Sequence, residues 1–356
     1  MCWSAWYANI ADAGTADGVR LLTSGRRLTY PSHSARRMGV SVAGNVIRGM
    51  RVVWMRRALR CGLLALVLCL QAPLAEAAEA AHVLLLLSEP QGAYQRFRQT
   101  FEQNLPAATR LEVRVVQQQA DALPPADLLV TVGSRAAERA FQHAQLPVLA
   151  TMLSSDSYQQ MRQGSRAPSS ALYLDQPWSR QVALIRAALP VRHRVGVLYS
   201  SDNARVLPEL RQALTQQGAQ LVALPVASAD QLAPTLESLL GQSDLLLALP
   251  DSAIYNSYTI RNILLGSYRR SVPLIGLSAA YVNAGALCAV YSSAEQQAEQ
   301  AATMTATFLA TRRLPAPQFP HGYQIAVNAE VARSLGVDLP PLEVLRRRID
   351  EGGRAP

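Results

Sequence analysis

The chain contains no lysine, so arginine supplies all 34 of its permanently basic side chains. The formal net charge of +9 is unevenly distributed along the chain. Residues 1–77 hold ten arginines and three acidic residues, whereas residues 78–356 hold 24 arginines and 22 acidic residues. A nucleic-acid-binding domain needs a basic face once it has folded. Because the second part of the chain is almost balanced in charge, we expect no nucleic-acid partner.

Cysteine is also scarce. Three of the four cysteines lie within the first 69 residues, and only Cys288 comes after them, inside a predicted strand. A single cysteine cannot form an internal disulfide, and no Cys/His spacing is typical of zinc. Reactive thiols need an exposed, electropositive setting. We therefore interpret Cys288 as a buried structural thiol, and we expect neither a metal nor any other cofactor.

The sequence lacks the short motifs of common enzyme classes. It has no G-x-S-x-G elbow, no P-loop and no G-x-G-x-x-G fingerprint. None of the four histidines after residue 80 has a carboxylate or a nucleophile at a recognisable motif spacing: His82, His143, His193 and His321. The sequence therefore favours a binding protein over an enzyme. An α/β enzyme stays an alternative, since catalytic residues can be close in space without being close in sequence.

Residues 50–80 have the pattern of a secretory signal. Four arginines come before an apolar run of ten residues, 61–70, which is too short to span a bilayer. Two Ala-Glu-Ala triplets at residues 75–80 are candidate cleavage sites. We expect export to the periplasm and a processed form that is not embedded in the membrane. The alternative is a retained N-terminal anchor.

Residues 1–49 come before this predicted signal and show no sustained hydrophobic period. A signal peptide so far from the N-terminus is unusual. We interpret residues 1–49 as a mis-assigned start, with translation beginning at Met50 or Met55, or as disordered chain. A real cytoplasmic extension is the alternative, although no sequence feature supports it.

After residue 80, short apolar runs alternate with helical patterns. Such alternation predicts an α/β fold with parallel sheets and right-handed crossovers. The pattern restarts at Arg194, after a passage at residues 173–177. The sequence therefore predicts two Rossmann-like lobes with parallel sheets, joined by a multi-strand hinge. The predicted division assigns residues 81–176 and 285–312 to lobe 1, and residues 177–284 and 313–356 to lobe 2.

Polar and aromatic residues follow many of the predicted strands. Ligands of open α/β sheets bind beyond the carboxyl ends of the strands, so these residues are candidates for a ligand site. The twelve candidates are Ser88, Gln91, Ser134, Ser154, Ser200, Asn203, Asp251, Ser252, Tyr255, Ser278, Tyr281 and Tyr291.

Three kinds of contact are predicted within this set. A predicted helix begins near Arg135, and its free amide groups, next to Ser134, suit a carboxylate. Asp251 suits an ammonium group, and tyrosines such as Tyr255 stack an apolar or aromatic side chain. The alternative is that Asp251 and Ser252 only cap the next helix and that the tyrosines are core residues.

Three segments resemble one protein family. Residues 272–292, VPLIGLSAAYVNAGALCAVYS, are similar to the signature of ABC transporter substrate-binding proteins of the tryptophan/tyrosine type. Residues 132–137, VGSRAA, and residues 328–336, from Asn328 to Gly336, resemble two further elements of that family. The resemblance covers about residues 81–339. It implies a type I periplasmic-binding-protein fold in which a hinge closes over a small ligand.

The resemblance also implies partners. These are an amino acid or a related carboxylate as the ligand and an ABC permease with its ATPase as the receptor, with the chain acting as a monomer. The alternative partner is a receptor or sensor kinase, which would make the chain a periplasmic sensing module with the same two lobes.

Overall fold

The computed structural model describes residues 80–116, 123–143 and 145–353. The segment 1–49 and all but the last residue of the predicted signal, 50–80, lie outside these ranges. Among the described residues, no helix is both long enough and apolar enough to cross a membrane. The described part of the chain contains two sheets, one in each lobe.

The sheet of the first lobe has five parallel strands in the order β2–β1–β3–β4–β5. Its strands are β1 (Ala81–Leu87), β2 (Thr109–Val115), β3 (Leu128–Val132), β4 (Val148–Leu153) and β5 (Ser169–Tyr173). The helices of this lobe are α1 (Ala93–Asn104), α2 (Ser134–His143) and α3 (Ser155–Arg162).

Both faces of this sheet are covered by helices, which is why its central strands are continuous apolar runs. Alternate residues of β1 point to opposite faces. Val83, Leu85 and Leu87 pack with α1, whereas Leu84 and Leu86 pack with α2 and with Tyr158 of α3. The predicted strand at residues 82–87 is confirmed.

The sheet of the second lobe has six strands in the order β11–β10–β9–β8–β6–β7. All neighbouring strands are parallel except β10 and β11, which are antiparallel. The strands are β6 (Arg194–Tyr199), β7 (Gln220–Pro225), β8 (Leu245–Leu247), β9 (Leu274–Gly276), β10 (Cys288–Tyr291) and β11 (Gln324–Val327).

Helices again cover the sheet, and leucine and isoleucine side chains of α5, α6 and α7 bury against it in one core. The helices after β5 are α4 (Trp178–Ala188), α5 (Leu207–Gln216), α6 (Leu232–Gln242), α7 (Ile260–Arg269), α8 (Ala279–Asn283), α9 (Ala294–Thr311), α10 (Ala329–Ser334) and α11 (Leu342–Gly352). A short 3₁₀ helix, Ser201–Val206, comes directly before α5. Cys288 is buried in β10 with a free thiol, as predicted.

Three segments carry the chain between the lobes: residues 174–177, 292–293 and 312–323. β10 pairs with β9 in the second sheet, whereas α9 packs in the core of the first lobe. The predicted boundary at residue 285 is therefore several residues too early, and the chain returns to the first lobe after Tyr291. The apolar sequence of β10 does not indicate which of the two sheets the strand joins.

Hydrogen bonds tie the three crossings to one another. Gln176 of the first crossing donates from Nε2 to Ser292 Oγ of the second at 2.9 Å. Ser292 Oγ in turn donates to the carbonyl oxygen of Gly322 in the third. Arg180 of α4 donates to Gln176 Oε1 at 2.6 Å and to the carbonyl oxygen of Pro320 at 2.9 Å. The hinge is thus a connected polar network.

Candidate ligand-binding cleft

A cavity of about 200 Å³ lies where the carboxyl ends of the two sheets face each other. The first lobe contributes residues from α2, β4 and α3, and the second lobe contributes the segment after β8. The lining residues are Ser134, Arg135, Glu138, Met152, Leu153, Ser154, Ser157, Met161, Leu174, Pro250 and Ser252. This is the edge at which open α/β sheets bind ligands.

A smaller recess adjoins this cavity on the hinge side, since the two share Ser154, Leu174 and Pro250. Its volume is about 20 Å³. The other lining residues of the recess are Asp175, Gln176, Gln181, Leu277 and Val290. The recess therefore lies between the first crossing, the first turn of α4 and the ends of β9 and β10.

The start of α2 forms one wall of the cavity. The first amide groups of a helix have no intrahelical acceptor, so those of Ser134 and Arg135 are suited to an anion. Ser88, which is 1% exposed, accepts a hydrogen bond at Oγ from the Ala136 amide at 3.0 Å. Ser88 thus caps the start of α2 from the end of β1. It is not among the residues that line the cavity.

The start of α3 is held by two side chains. Ser154 accepts a hydrogen bond at Oγ from the Ser157 amide at 3.1 Å, which is an ordinary N-cap. Asp175 of the first crossing accepts from the Ser155 amide at 2.7 Å and from the Ser155 hydroxyl at 2.6 Å. Burial raises the pKa of Asp175 to about 6. A carboxylate of the hinge therefore fixes the helix that lines the cavity.

Asp251, which the sequence predicts to bind an ammonium group, does not line either cavity. It is 1% exposed, and it accepts from the Ser200 amide at 2.7 Å and from the Ala253 amide at 3.1 Å. These bonds join the ends of β6 and β8. Asp251 is a buried structural carboxylate, as the capping alternative implied, while its neighbour Ser252 is exposed and lines the cavity.

The predicted tyrosines do not line the cavity. Tyr255 and Tyr281 are 0% exposed and belong to the core of the second lobe. Burial raises the pKa of Tyr255 well above its usual range. Tyr291 donates its hydroxyl to Gln324 Oε1 at 3.0 Å across the β10–β11 pair. Methionine and leucine side chains form the apolar wall instead.

The remaining predicted residues also lie outside the two cavities. Gln91 is exposed beyond β1, and Ser200 contributes its backbone amide to Asp251. Asn203 and Ser278 are buried, at 6% and 2% exposure, in the 3₁₀ helix after β6 and at the start of α8. Of the twelve candidates, Ser134, Ser154 and Ser252 line the main cavity.

Two features of the site were missed by sequence reasoning. Asp175 is the second residue after β5, so the expectation that ligands bind beyond the carboxyl ends of strands, which selected Ser154, would also have selected Asp175. Met152 has a left-handed backbone with φ of +53° beside an irregularity in the β4–β5 pairing. A non-glycine residue rarely adopts this conformation, and such strain concentrates at functional sites. Nothing in the sequence around Met152 marks it.

An ion pair connects the lobes beside the cleft. Arg205, in the 3₁₀ helix of the second lobe, pairs with Asp156 in α3 of the first lobe. Asp156 also accepts a hydrogen bond from Gln160 Nε2 at 3.0 Å. Because Asp156 is largely buried, this pair is less screened by solvent than an exposed one. It favours the arrangement in which the two lobes meet.

Two α/β lobes joined by three crossings around a cleft define a type I periplasmic-binding-protein fold. Residues 114–347 match a family model described as ABC transporter substrate binding protein. This match spans more than half of the chain, and the chain therefore belongs to that family. No curated protein sequence matches the chain.

Several solved structures have the same fold. A conserved domain protein from Vibrio cholerae is 20% identical with a TM-score of 0.55, over 75% of this chain and 98% of that chain. The ABC domain from Streptococcus pneumoniae in complex with L-Trp is 17% identical with a TM-score of 0.55, over 75% and 97%. A ligand-free, open substrate-binding protein with adhesive properties from Clostridium difficile is 16% identical with a TM-score of 0.58, over 74% and 97%.

Proposed function

We propose that this chain is a periplasmic solute-binding protein that captures an amino acid or a related carboxylate and delivers it to an ABC importer. The observation that carries the proposal is the cavity of about 200 Å³ lined by both lobes. A ligand held there contacts both lobes at once, so it stabilises their closed arrangement. The closed form then presents to a permease a surface that the open form lacks.

The lining of the cavity supports a small, polar ligand with an apolar part. Pockets for drug-sized molecules occupy about 300–1,000 Å³, so this smaller cavity suits a metabolite. Arg135 and the first amides of α2 offer positive charge and donors to a carboxylate. Met152, Met161 and Leu174 offer an apolar surface to a side chain. The L-Trp bound to the Streptococcus neighbour makes amino acids the first class to test.

Transport sets the expected affinity. The protein must hold its ligand tightly enough to capture it and weakly enough to release it. We expect a dissociation constant on the order of micromolar, which corresponds to about −8 kcal/mol.

A thermal-shift screen tests this proposal. The purified protein is heated with amino acids, small carboxylates, sugars and nucleosides, each in a separate sample. A ligand that binds only the folded state adds about 2.7 kcal/mol of stability at a hundredfold excess over its dissociation constant. We expect a clear rise in melting temperature with amino acids. A rise with sugars or nucleosides alone would refute the proposed ligand class, and no rise with any class would count against solute binding.

The interlobe ion pair gives a second prediction. Arg205→Gln removes the charge that joins Asp156 to the second lobe, and the closed form loses about 1 kcal/mol. Affinity for the ligand found in the screen should fall roughly fivefold, mainly through faster dissociation. Surface plasmon resonance measures both rates.

The matched control for this prediction is Arg270→Gln. Arg270 pairs with Glu237 on the surface of the second lobe alone. Its loss removes the same charge without touching the cleft, so ligand kinetics should not change. If both variants bind the ligand as the wild type does, the Arg205–Asp156 pair plays no part in lobe closure.

A further inference from the structure

We propose that the recess beside the hinge holds the ammonium group of the ligand, with the Asp175 carboxylate and the Gln181 carbonyl oxygen as its acceptors. This inference rests on the proposed function, because it names the part of the same cleft that recognises the amine. It also replaces Asp251, which the structure buries among backbone amides.

The size of the recess fits a single small group. Its volume is about 20 Å³, and about 10–15 Å³ is enough for one water molecule. An ammonium group is close to a water molecule in size. Since the recess adjoins the main cavity, a ligand placed in the cavity can extend one such group into it.

One buried hydrogen-bond acceptor among the residues that line the recess has no donor. Gln181 is 3% exposed, and its Oε1 has no hydrogen-bond partner among the described residues. Gln176 is held in the hinge, where its Nε2 donates to Ser292 and its Oε1 accepts from Arg180. Ser154 is engaged with Ser157. A buried acceptor without a donor is costly, and a ligand N–H removes that cost.

Asp175 supplies the negative charge. Each of its oxygens accepts one bond from Ser155, and the backbone amide of Asp175 itself also donates to the carboxylate, so only part of its acceptor capacity is left. Among the described ion pairs, none involves Asp175. Its neighbours do not neutralise it: Asp156 is paired with Arg205, the Tyr173 hydroxyl is uncharged, and Arg180 donates to Gln176 and Pro320. A cationic ligand group compensates this partly buried charge.

The two ends of the cleft therefore differ in character. Arg135 and the start of α2 suit a carboxylate, whereas Asp175 and Gln181 suit an ammonium group. A zwitterion has both groups, and the difference between the ends fixes its orientation. Amino acids are expected to bind more tightly than carboxylates that lack the amine.

The same geometry makes binding depend on pH. The cation needs Asp175 in its ionised form, and burial raises the pKa of Asp175 to about 6 in the free protein. The ionised fraction falls about tenfold between pH 7 and pH 5, and affinity falls with it. The amine of an amino acid stays protonated throughout this range, so the ligand does not contribute to the change.

Isothermal titration calorimetry tests the inference with matched probes. Each common L-amino acid is titrated beside the carboxylic acid that lacks only its amine. The proteins are the wild type, Asp175→Asn, Gln181→Met and the control Asp230→Asn, which removes an exposed carboxylate away from the cleft. Asparagine at position 175 keeps an oxygen for the Ser155 amide, so this variant should fold, and its melting temperature at pH 7 should equal or exceed that of the wild type.

The expected result has three parts. The wild type binds an amino acid at least tenfold more tightly than its amine-free counterpart, and Asp175→Asn removes that difference. Gln181→Met reduces the difference, and Asp230→Asn leaves it intact. Affinity of the wild type falls about tenfold from pH 7 to pH 5, while that of Asp175→Asn does not change.

Other outcomes separate the inference from the proposed function. If amino acids and their amine-free counterparts bind equally and Asp175→Asn has no effect, the ammonium subsite is wrong and the solute-binding function stands. If an amino acid binds but Asp175→Asn and Gln181→Met leave its advantage intact, the ammonium group lies elsewhere in the cleft. If no amino acid binds the wild type, the inference fails together with the proposed ligand class.

Discussion

Replacing Asp251 by asparagine should destabilise the protein by about 2–3 kcal/mol, because a buried backbone amide loses its acceptor. In the folded protein, one carboxylate oxygen accepts from Ser200 and the other from Ala253. Asparagine has one acceptor oxygen, and its amide nitrogen would face a second N–H donor. With Asp251 only 1% exposed, water cannot replace the lost partner. The loops after β6 and β8 would then lose a contact that joins them.

Urea denaturation of Asp251→Asn measures this change in the free energy of unfolding. Asp230→Asn is the control, since it removes an exposed carboxylate and should change stability by less than about 0.5 kcal/mol. Ligand affinity of the folded Asp251→Asn protein should stay close to that of the wild type. A stable variant with weakened ligand binding would instead support the sequence-based prediction that Asp251 contacts the ligand.

Gly133→Ala should have a still larger effect, about 3–5 kcal/mol, because it adds crowding to backbone strain. Gly133 connects β3 to α2 with φ of +90°, where a side chain is unfavourable. A Cβ atom there would lie 2.6 Å from Ser88 Oγ and 2.7 Å from Cε1 of Tyr94. Both neighbours are buried and cannot move away freely. The start of α2, which lines the cleft, would shift.

Gly218→Ala separates the two causes. Gly218 also has a positive φ, +69°, but no heavy atom lies within 4 Å of an added Cβ. The Gly218→Ala variant should lose only about 1–2 kcal/mol of stability, which is the cost of placing alanine in a left-handed conformation. Thermal and urea denaturation of both variants give the comparison. Equal losses would mean that the Ser88 and Tyr94 contacts do not restrict Gly133.

Much of the fold could be predicted because its physical signals are local. Continuous apolar runs such as residues 82–87 identify strands that are buried on both faces. Gly218 identifies the end of α5, where its positive φ is observed. The sheet that β10 joins could not be predicted in this way. That choice depends on which neighbour the strand pairs with, and its short apolar sequence fits either sheet.

The candidate site was predicted less completely, for a related reason. A position just after a strand places a residue at the edge of the sheet where ligands bind, but it does not determine which way the side chain points. Ser134, Ser154 and Ser252 reach the cavity, while Tyr255 and Tyr281 turn into the core of the second lobe. Asp251 sits at a strand end too, but nearby backbone amides satisfy it. Asp175 remains available because its partners use only part of its capacity.

Nuclear magnetic resonance shows whether the cleft between the lobes binds the ligand. The amide signals of isotope-labelled protein are followed while the ligand found in the screen is added. We expect the largest shifts at Ser134, Ser155, Asp175 and Ser252, and the same dissociation constant from the signals of both lobes. Shifts confined to one lobe, or to a distant surface such as helix α11, would contradict it.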